Sequence, residues 1–251
     1  MKVYNIKLNI LVLLLSIAAV SCKQNELPQY EENPAVYFSY LSHGKPTGYQ
    51  VDSIRHSFFL LNSEIVKSTV MIRMNTMGSP TDIDRPISIV QANEGEENAA
   101  IPGVHYVSFS DPEVMSRIMI RAGRVYDSIP IVWIRHSDMD ISTIKLELKI
   151  AENQYFHPGV DRYTRFTVTT TAMAIKPSNW SSWESTFGPT WGSVKMKFII
   201  DYVGDIDWGN PSSDTNYLTY LRTKALQKLK EYNEAHPNEP LKEVNGDFVT
   251  F

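Results

Sequence analysis

The chain holds a single cysteine in 251 residues, Cys22. One thiol excludes an internal disulfide, so whatever folds here must hold together by packing. There is no run of Lys and Arg, and the formal charge is −4. That argues against nucleic acid, whose affinity rests on basic patches that neutralise phosphates. Catalytic signatures are absent too: no Gly-x-Ser-x-Gly elbow, no His-Glu-x-x-His pair and no glycine-rich phosphate loop. The six histidines, at 43, 56, 105, 136, 157 and 236, fall one per segment with no paired metal spacing. Two carboxylates could still meet in space to cleave a glycosidic bond, but among 28 acids a chance pair is always available. The expectation is therefore a non-enzymatic chain with no catalytic residue, no cofactor and no metal ligand. Long apolar runs are limited to one, Ile10 to Val20, interrupted only by Ser16. It is too short to span a bilayer as a helix.

What is present begins with that run. Lys2 and Lys7 give a positive start, the apolar stretch follows, and the small residues Ala18, Ala19 and Ser21 lead into Cys22, the layout of an export signal. The ending Ala19-Val20-Ser21-Cys22 resembles a bacterial lipobox. The resemblance implies a signal peptide, 1–21, cut before a cysteine that carries lipid, and hence membrane attachment through Cys22. Two or more acyl chains anchor stably, whereas one, at about 0.8 kcal/mol per buried CH₂, holds only marginally. Loss of Lys2 and Lys7 with the signal would take the charge from −4 to −6. Residues 22–34 are polar and broken by Pro28 and Pro34, which reads as a flexible tether. Lys23-Gln24-Asn25-Glu26 resembles the short polar and acidic signal that Bacteroidota use for display on the outer face of the outer membrane.

Residues 35–175 read as a β domain. Short alternating runs separated by turn residues predict strands at Val36–Tyr40, Ser53–Leu60, Ser68–Met74, Pro86–Val90, Val104–Phe109, Arg117–Arg121, Ser128–Arg135, Ser142–Ile150 and Tyr163–Ala174. In the clearest, Ile144, Leu146, Leu148 and Ile150 would face a core while Lys145, Glu147 and Lys149 face water. Many strands at regular spacing, with Gly, Pro and Asp between them, favour an antiparallel immunoglobulin-like β-sandwich.

Residues 176–251 read as a smaller α+β domain. A Ser/Gly/Pro-rich stretch with Trp180, Trp183 and Trp191 precedes a predicted strand, Val194–Tyr202, whose alternate residues are apolar. Asp214 is placed to cap a helix from Thr215 to about Glu234, with Leu218, Leu221, Ala225 and Leu229 on one stripe. His236-Pro237 stops it, and a Gly246 turn leads to a short predicted strand, Phe248–Phe251.

Several of these segments together carry a resemblance. Asp52-Ser53-Ile54, Asp84-Arg85-Pro86-Ile87, Gly103-Val104-His105-Tyr106, Ile129-Pro130-Ile131 with Arg135, and Leu146-Glu147-Leu148 before Asn153 and Phe156 resemble a Bacteroidota lipoprotein family known only as a domain of unknown function. Gly103-Val104-His105-Tyr106 with Ala122-Gly123 is also similar to the Calx-beta sandwich, with His105 where that pattern has an acid. The lipoprotein resemblance implies company with a SusC/SusD-like outer-membrane importer and a glycan or peptide ligand.

Candidate residues follow from side-chain chemistry. Trp180, Trp183, Trp191 and Trp208 could stack on sugar rings or meet a partner, though large aromatics in a small domain more often form its core. The pairs Asp82/Asp84, Asp138/Asp140 and Asp205/Asp207 offer oxygens of the kind calcium takes, but Asp at strand ends commonly serves turns. Asp52-Ser53-Ile54 and Asp127-Ser128-Ile129 resemble the Bacteroidota O-glycosylation acceptor, which would mark Ser53 and Ser128. The function expected is a lipid-anchored accessory or binding component of a nutrient importer. The rival is a free-standing surface glycan binder that uses the C-terminal tryptophans.

Overall fold

A computed structural model describes residues 34–41, 50–204 and 206–251. The signal segment, Cys22, most of the tether, His43 and Asp205 lie outside the described residues. Among the described residues there are twelve strands: β1 (Ala35–Phe38), β2 (Tyr40–Leu41), β3 (Gln50–Val51), β4 (Ser53–Ser57), β5 (Lys67–Met77), β6 (Arg85–Pro86), β7 (Ser88–Gln91), β8 (Met119–Ile120), β9 (Tyr126–Ile134), β10 (Ile144–Ala151), β11 (His157–Pro158) and β12 (Arg165–Thr171). Two sheets have four strands each, ordered β11-β1-β5-β9 and β4-β12-β10-β7.

The inward residues of both sheets form one cluster. Val36, Phe38, Ile72, Met74, Ile129, Ile131 and Trp133 come from the first sheet; Ile89, Leu146, Leu148, Ile150, Phe166 and Val168 come from the second. The Phe38 and Phe166 rings meet at 5.4 Å across the gap. Each such side chain contributes about 1.5–3 kcal/mol when taken from water. β10 shows the cause: Ile144, Leu146, Leu148 and Ile150 are buried while Lys145, Glu147 and Lys149 stay in reach of solvent. A period of two puts alternate residues on one face.

The sheets are not wholly antiparallel as expected. β5–β9, β1–β5, β10–β12 and β7–β10 run antiparallel, but β1–β11 and β4–β12 run parallel. Three predicted strands also shrink. Ser53–Leu60 ends at Ser57, and Arg117–Arg121 keeps only Met119–Ile120. Val104–Phe109 is replaced by a turn in which Val104 and His105 donate to the Ile101 carbonyl. Gly103, with φ +81°, supplies the left-handed residue that this turn requires.

The C-terminal part is helical, which corrects the α+β reading. Val194–Tyr202 is not a strand: a helix, Ser193–Phe198, runs into a π-helical turn, Ile199–Val203. Lys195, Met196, Phe198, Ile199, Ile200 and Val203 are all buried. A segment covered on nearly every side loses the polar face that reveals helical period, and the alternation of Val194, Met196, Phe198, Ile200 and Tyr202 is incidental. Phe248–Phe251 makes only an isolated bridge, Lys242 with Phe248.

The long helix, Thr215–Ala235, starts where expected, with Asp214 Oδ1 accepting from the Asn216 and Tyr217 amides at 2.9 and 3.3 Å. Leu221, Ala225 and Leu229 are its buried stripe. Leu221 and Ala225 join a second core made chiefly of Trp180, Trp183, Phe187, Ile199, Ile200 and Trp208, while Leu229 packs with Phe198 and Val249 in a smaller cluster beside it. The chain from Asn33 to Phe251 is nonetheless one compact unit. Phe58 and Phe59, consecutive residues, explain how: Phe58 is buried in the first core and Phe59 in the second.

Candidate functional site

Phe58 and Phe59 begin a strap, residues 58–66, between β4 and β5. The strap is tied down by the π turn. Asp201 Oδ1 accepts from the Ser63 amide at 2.8 Å, and Oδ2 accepts from the Ser63 hydroxyl at 2.7 Å. Lys197 Nζ donates to the Leu61 carbonyl at 2.6 Å and lies 3.3 Å from Asp201 Oδ1. Desolvation pulls the Lys197 ammonium below its ordinary range and Asp201 opposes that, while the charge of Arg135 adds to the depression.

Between strap and π turn lies a recess of about 410 Å³ whose lining includes Leu60, Asn62, Tyr202, Gly204, Trp208 and Lys224. A second recess, about 190 Å³, shares Leu60 and Trp208 and is edged by Asn179 and Ile175. The π turn holds an extra residue within its turn, a feature that recurs at functional sites, and Gly204 at φ +133° ends it. Tyr202 stands at the rim, 47% exposed. Apolar floor, aromatic wall and a few polar groups are the usual make-up of a small-ligand site.

The four candidate tryptophans divide. Trp180 and Trp183 are sealed in the second core, so their rings cannot stack on a ligand as the protein stands. Trp208 is also buried but lines both seam recesses. It is held by a stacked Trp180 at 6.3 Å and an edge-on Trp183 at 5.3 Å, and its carbonyl accepts from the Trp183 indole at 3.3 Å. Trp191 is half-buried and borders a separate recess of about 380 Å³ with Lys195 and Glu243. There Glu243 accepts from the Val194 and Lys195 amides at 3.1 and 2.9 Å, capping a helix nearly fifty residues earlier in the chain. The Lys195 ammonium is buried and donates to the Phe187 and Thr190 carbonyls; desolvation lowers its pKa, with Glu243 opposing. Sequence reading missed both residues, because neither a capping acid that distant nor a lysine pointing inward leaves a local signature.

Sequence spacing also missed a histidine pair. The antiparallel bridge of Tyr106 with Trp133 brings His105 and His136 to a ring separation of 5.3 Å. Asp138 lies between them: its Oδ2 is 2.9 Å from His105 Nε2, and its Oδ1 contacts His136 Nδ1. One ligand-capable atom from each of the three falls within 4.8 Å of the others. The donor set does not suit a metal, however. His105 Nδ1 accepts from the Ile101 amide at 2.9 Å, so the proton of the neutral ring is on Nε2, facing Asp138. A metal-bound histidine instead donates from its second nitrogen. Desolvation pushes the Asp138 carboxyl up, but hydrogen bonds from His136 and His105 outweigh it and hold the group below the usual carboxylate range.

Two further candidate aspartates accept from backbone amides. Asp84 accepts from the Ala122 amide, and Asp207 accepts from the Gly209 and Asn210 amides in a turn. Ser53 is exposed on β4, an outermost strand; Ser128 is half-buried on β9.

A family profile described as "Domain of unknown function (DUF4843)" matches residues 30–205. No curated protein matches. Among solved structures, a Bacteroides ovatus protein of unknown function is 17% identical with TM-score 0.36, over 54% of this chain and 44% of that one. A two-domain Bacteroides fragilis protein of unknown function is 11% identical with TM-score 0.34, over 64% and 51% respectively. A Bacteroides ovatus protein provisionally described as carbohydrate-binding is 12% identical with TM-score 0.30, over 55% and 37%. The matched regions thus span about half or less of those proteins.

Proposed function

As the chain belongs to the family described as "Domain of unknown function (DUF4843)", we propose that it is a lipid-anchored, non-enzymatic binding protein on the outer face of the outer membrane, accessory to a SusC/SusD-like importer of glycan or peptide. The observation that carries the binding role is the seam recess with its Trp208 wall and exposed Tyr202. The location is supported by Ala19-Val20-Ser21-Cys22 and the polar residues after it. Acylated Cys22 would hold the protein at the membrane, and the tether would leave the folded part free to reach a barrel partner.

Membrane fractionation of the Cys22→Ala variant tests the anchor: the variant should leave the membrane fraction, and retention there would end that part of the proposal. Purification from native membranes tests the partner. A SusC-like barrel should come with the protein, and a lone monodisperse lipoprotein would count against the importer role.

A free-standing glycan binder remains the second reading, favoured by Trp191 and Trp208, the two candidate tryptophans that line recesses. Affinity electrophoresis on a polysaccharide panel separates the two, using Tyr202→Ala and Trp191→Ala to locate any retardation. Of the two modification candidates, Ser53 is the accessible one, and intact mass of native protein should show glycan there in preference to Ser128.

A further inference from the structure

We propose that the seam recess takes the C-terminal end of a peptide, with an apolar last residue against its floor and the terminal carboxylate on Lys224. The inference rests on the reading of that recess as the binding site and names its ligand class. Two charged side chains line the recess, Asp201 and Lys224. Asp201 is already engaged: its two oxygens accept from the Ser63 amide and hydroxyl, and Lys197 lies 3.3 Å away. Lys224 is half-buried, and among the described residues no acid pairs with it; its ammonium stands 5.8 Å from the centre of the Tyr220 ring. The sequence shows why. From Thr215 to Lys230 its helix carries no Asp or Glu, so no acid sits three or four residues away on the same face. The charge that the recess leaves unmatched is positive.

The rest of the lining selects among ligands that bear a carboxylate. Leu60, Ile65, Val203 and Ile206 supply aliphatic surface. Asn62 is engaged at both ends: Oδ1 accepts from the Glu64 amide at 2.9 Å, and Nδ2 donates to the Asp201 carbonyl at 3.4 Å. Trp208 is 8% exposed, too little for a ring face to lie on a sugar, and Tyr202 has one face stacked on Phe198 at 4.7 Å. An acidic sugar would set most of its hydroxyls against hydrocarbon, where each unpaired one costs free energy. A C-terminal Leu, Phe or Trp offers apolar surface to the same wall and one anionic group to pair. The Lys224 ammonium has three donors for that group, and a bond between two charged partners is stronger than a neutral one. Capture of a free C-terminus is an established mode of peptide recognition. An internal stretch of a protein has no such carboxylate, so the recess favours the cut ends that peptide-bond hydrolysis makes.

NMR titration of the whole protein with N-acetylated tripeptides ending in Leu, Phe or Trp, each as the free acid and as the C-terminal amide, tests this. The acids should shift the Tyr202, Gly204 and Lys224 amides and bind about tenfold or more tighter than the amides, the difference expected for one charge-assisted bond. Lys224→Met should bring the acids down to the affinity of the amides, and Lys224→Arg should keep the preference. Acids and amides of equal affinity, or a preference that survives Lys224→Met, would overturn the assignment of the carboxylate to Lys224. Maltohexaose and trigalacturonic acid are run beside the peptides. Shifts at the same amides from either sugar, with none from any peptide, would keep the recess as a binding site and discard the peptide end. Silence from every probe would remove the binding site itself.

Discussion

The two-sheet part and the helical end bury similar side chains by different logic. In β10 every second residue is buried and its neighbours reach solvent; in the run from Ser193 to Val203 burial takes in even Lys195. The first core is a layer between two faces, so a strand such as β10 carries a polar outer side. The second takes side chains from most of the circumference of that run and leaves only a narrow, partly exposed side that includes Lys197, Asp201 and Tyr202. Hydrophobic period reports not burial itself but burial on one side only.

With Phe58 in one core and Phe59 in the other, the two cores should unfold as one body, and the largest test removes a ring from the second. Trp183→Ala, at a site 1% exposed, should cost about 3–5 kcal/mol. Sheet circular dichroism and tryptophan fluorescence should then fall in a single earlier transition. Two separated transitions would show that Phe58 and Phe59 do not couple the cores, and the comparison would become one of independent domains.

Next in size is an acid effect specific to the sheets. His56 bonds Thr170 Oγ1 at 2.8 Å and Ser68 Oγ at 2.9 Å, joining strands of both sheets. Burial lowers its pKa from 6.5 to about 4. Above pH 6.5 neither native nor unfolded chain protonates this ring. As pH falls toward 4 the unfolded chain takes up the proton and the native one does not, so stability is lost across that window, by at most about 3 kcal/mol. Denaturant titrations at pH 7 and pH 4.5 should show the loss, and His56→Gln should shrink it; an unchanged slope in the variant would remove His56 as its cause.

The smallest effect belongs to the helical end. Asp214→Ala should cost about 1 kcal/mol through loss of the cap to Asn216 and Tyr217. Asp214→Asn should recover most of it, and equal losses in both would point to charge in place of capping.

These contrasts explain what was legible. Asp214 and the Leu221-Ala225-Leu229 stripe could be read because a cap and a one-sided helix are local patterns. β10 could be read for the same reason. The parallel pairings of β1 with β11 and β4 with β12 could not, since direction depends on the route taken between strands. At the candidate sites, Trp191 and Trp208 were legible as residue types, but their separation from Trp180 and Trp183 needed the second core. The His105–His136 pair was invisible because 101–106 and 133–138 are brought together by a pairing between distant segments, the Tyr106–Trp133 bridge. Lys195 was missed, because a lysine turned inward leaves no mark in the local pattern.

β1 has a mechanical consequence. It is the first described strand after the tether and is gripped on both flanks, by β5 through Ala35–Phe38 and by β11 through Ala35 and Val36. With Cys22 held in a membrane, as proposed, any drag on the body enters the fold here. Its hydrogen bonds lie across the strand, so a pull along the strand axis loads them together in shear and does not peel them one at a time. The short strand beside the leash is thus the fold's mooring point.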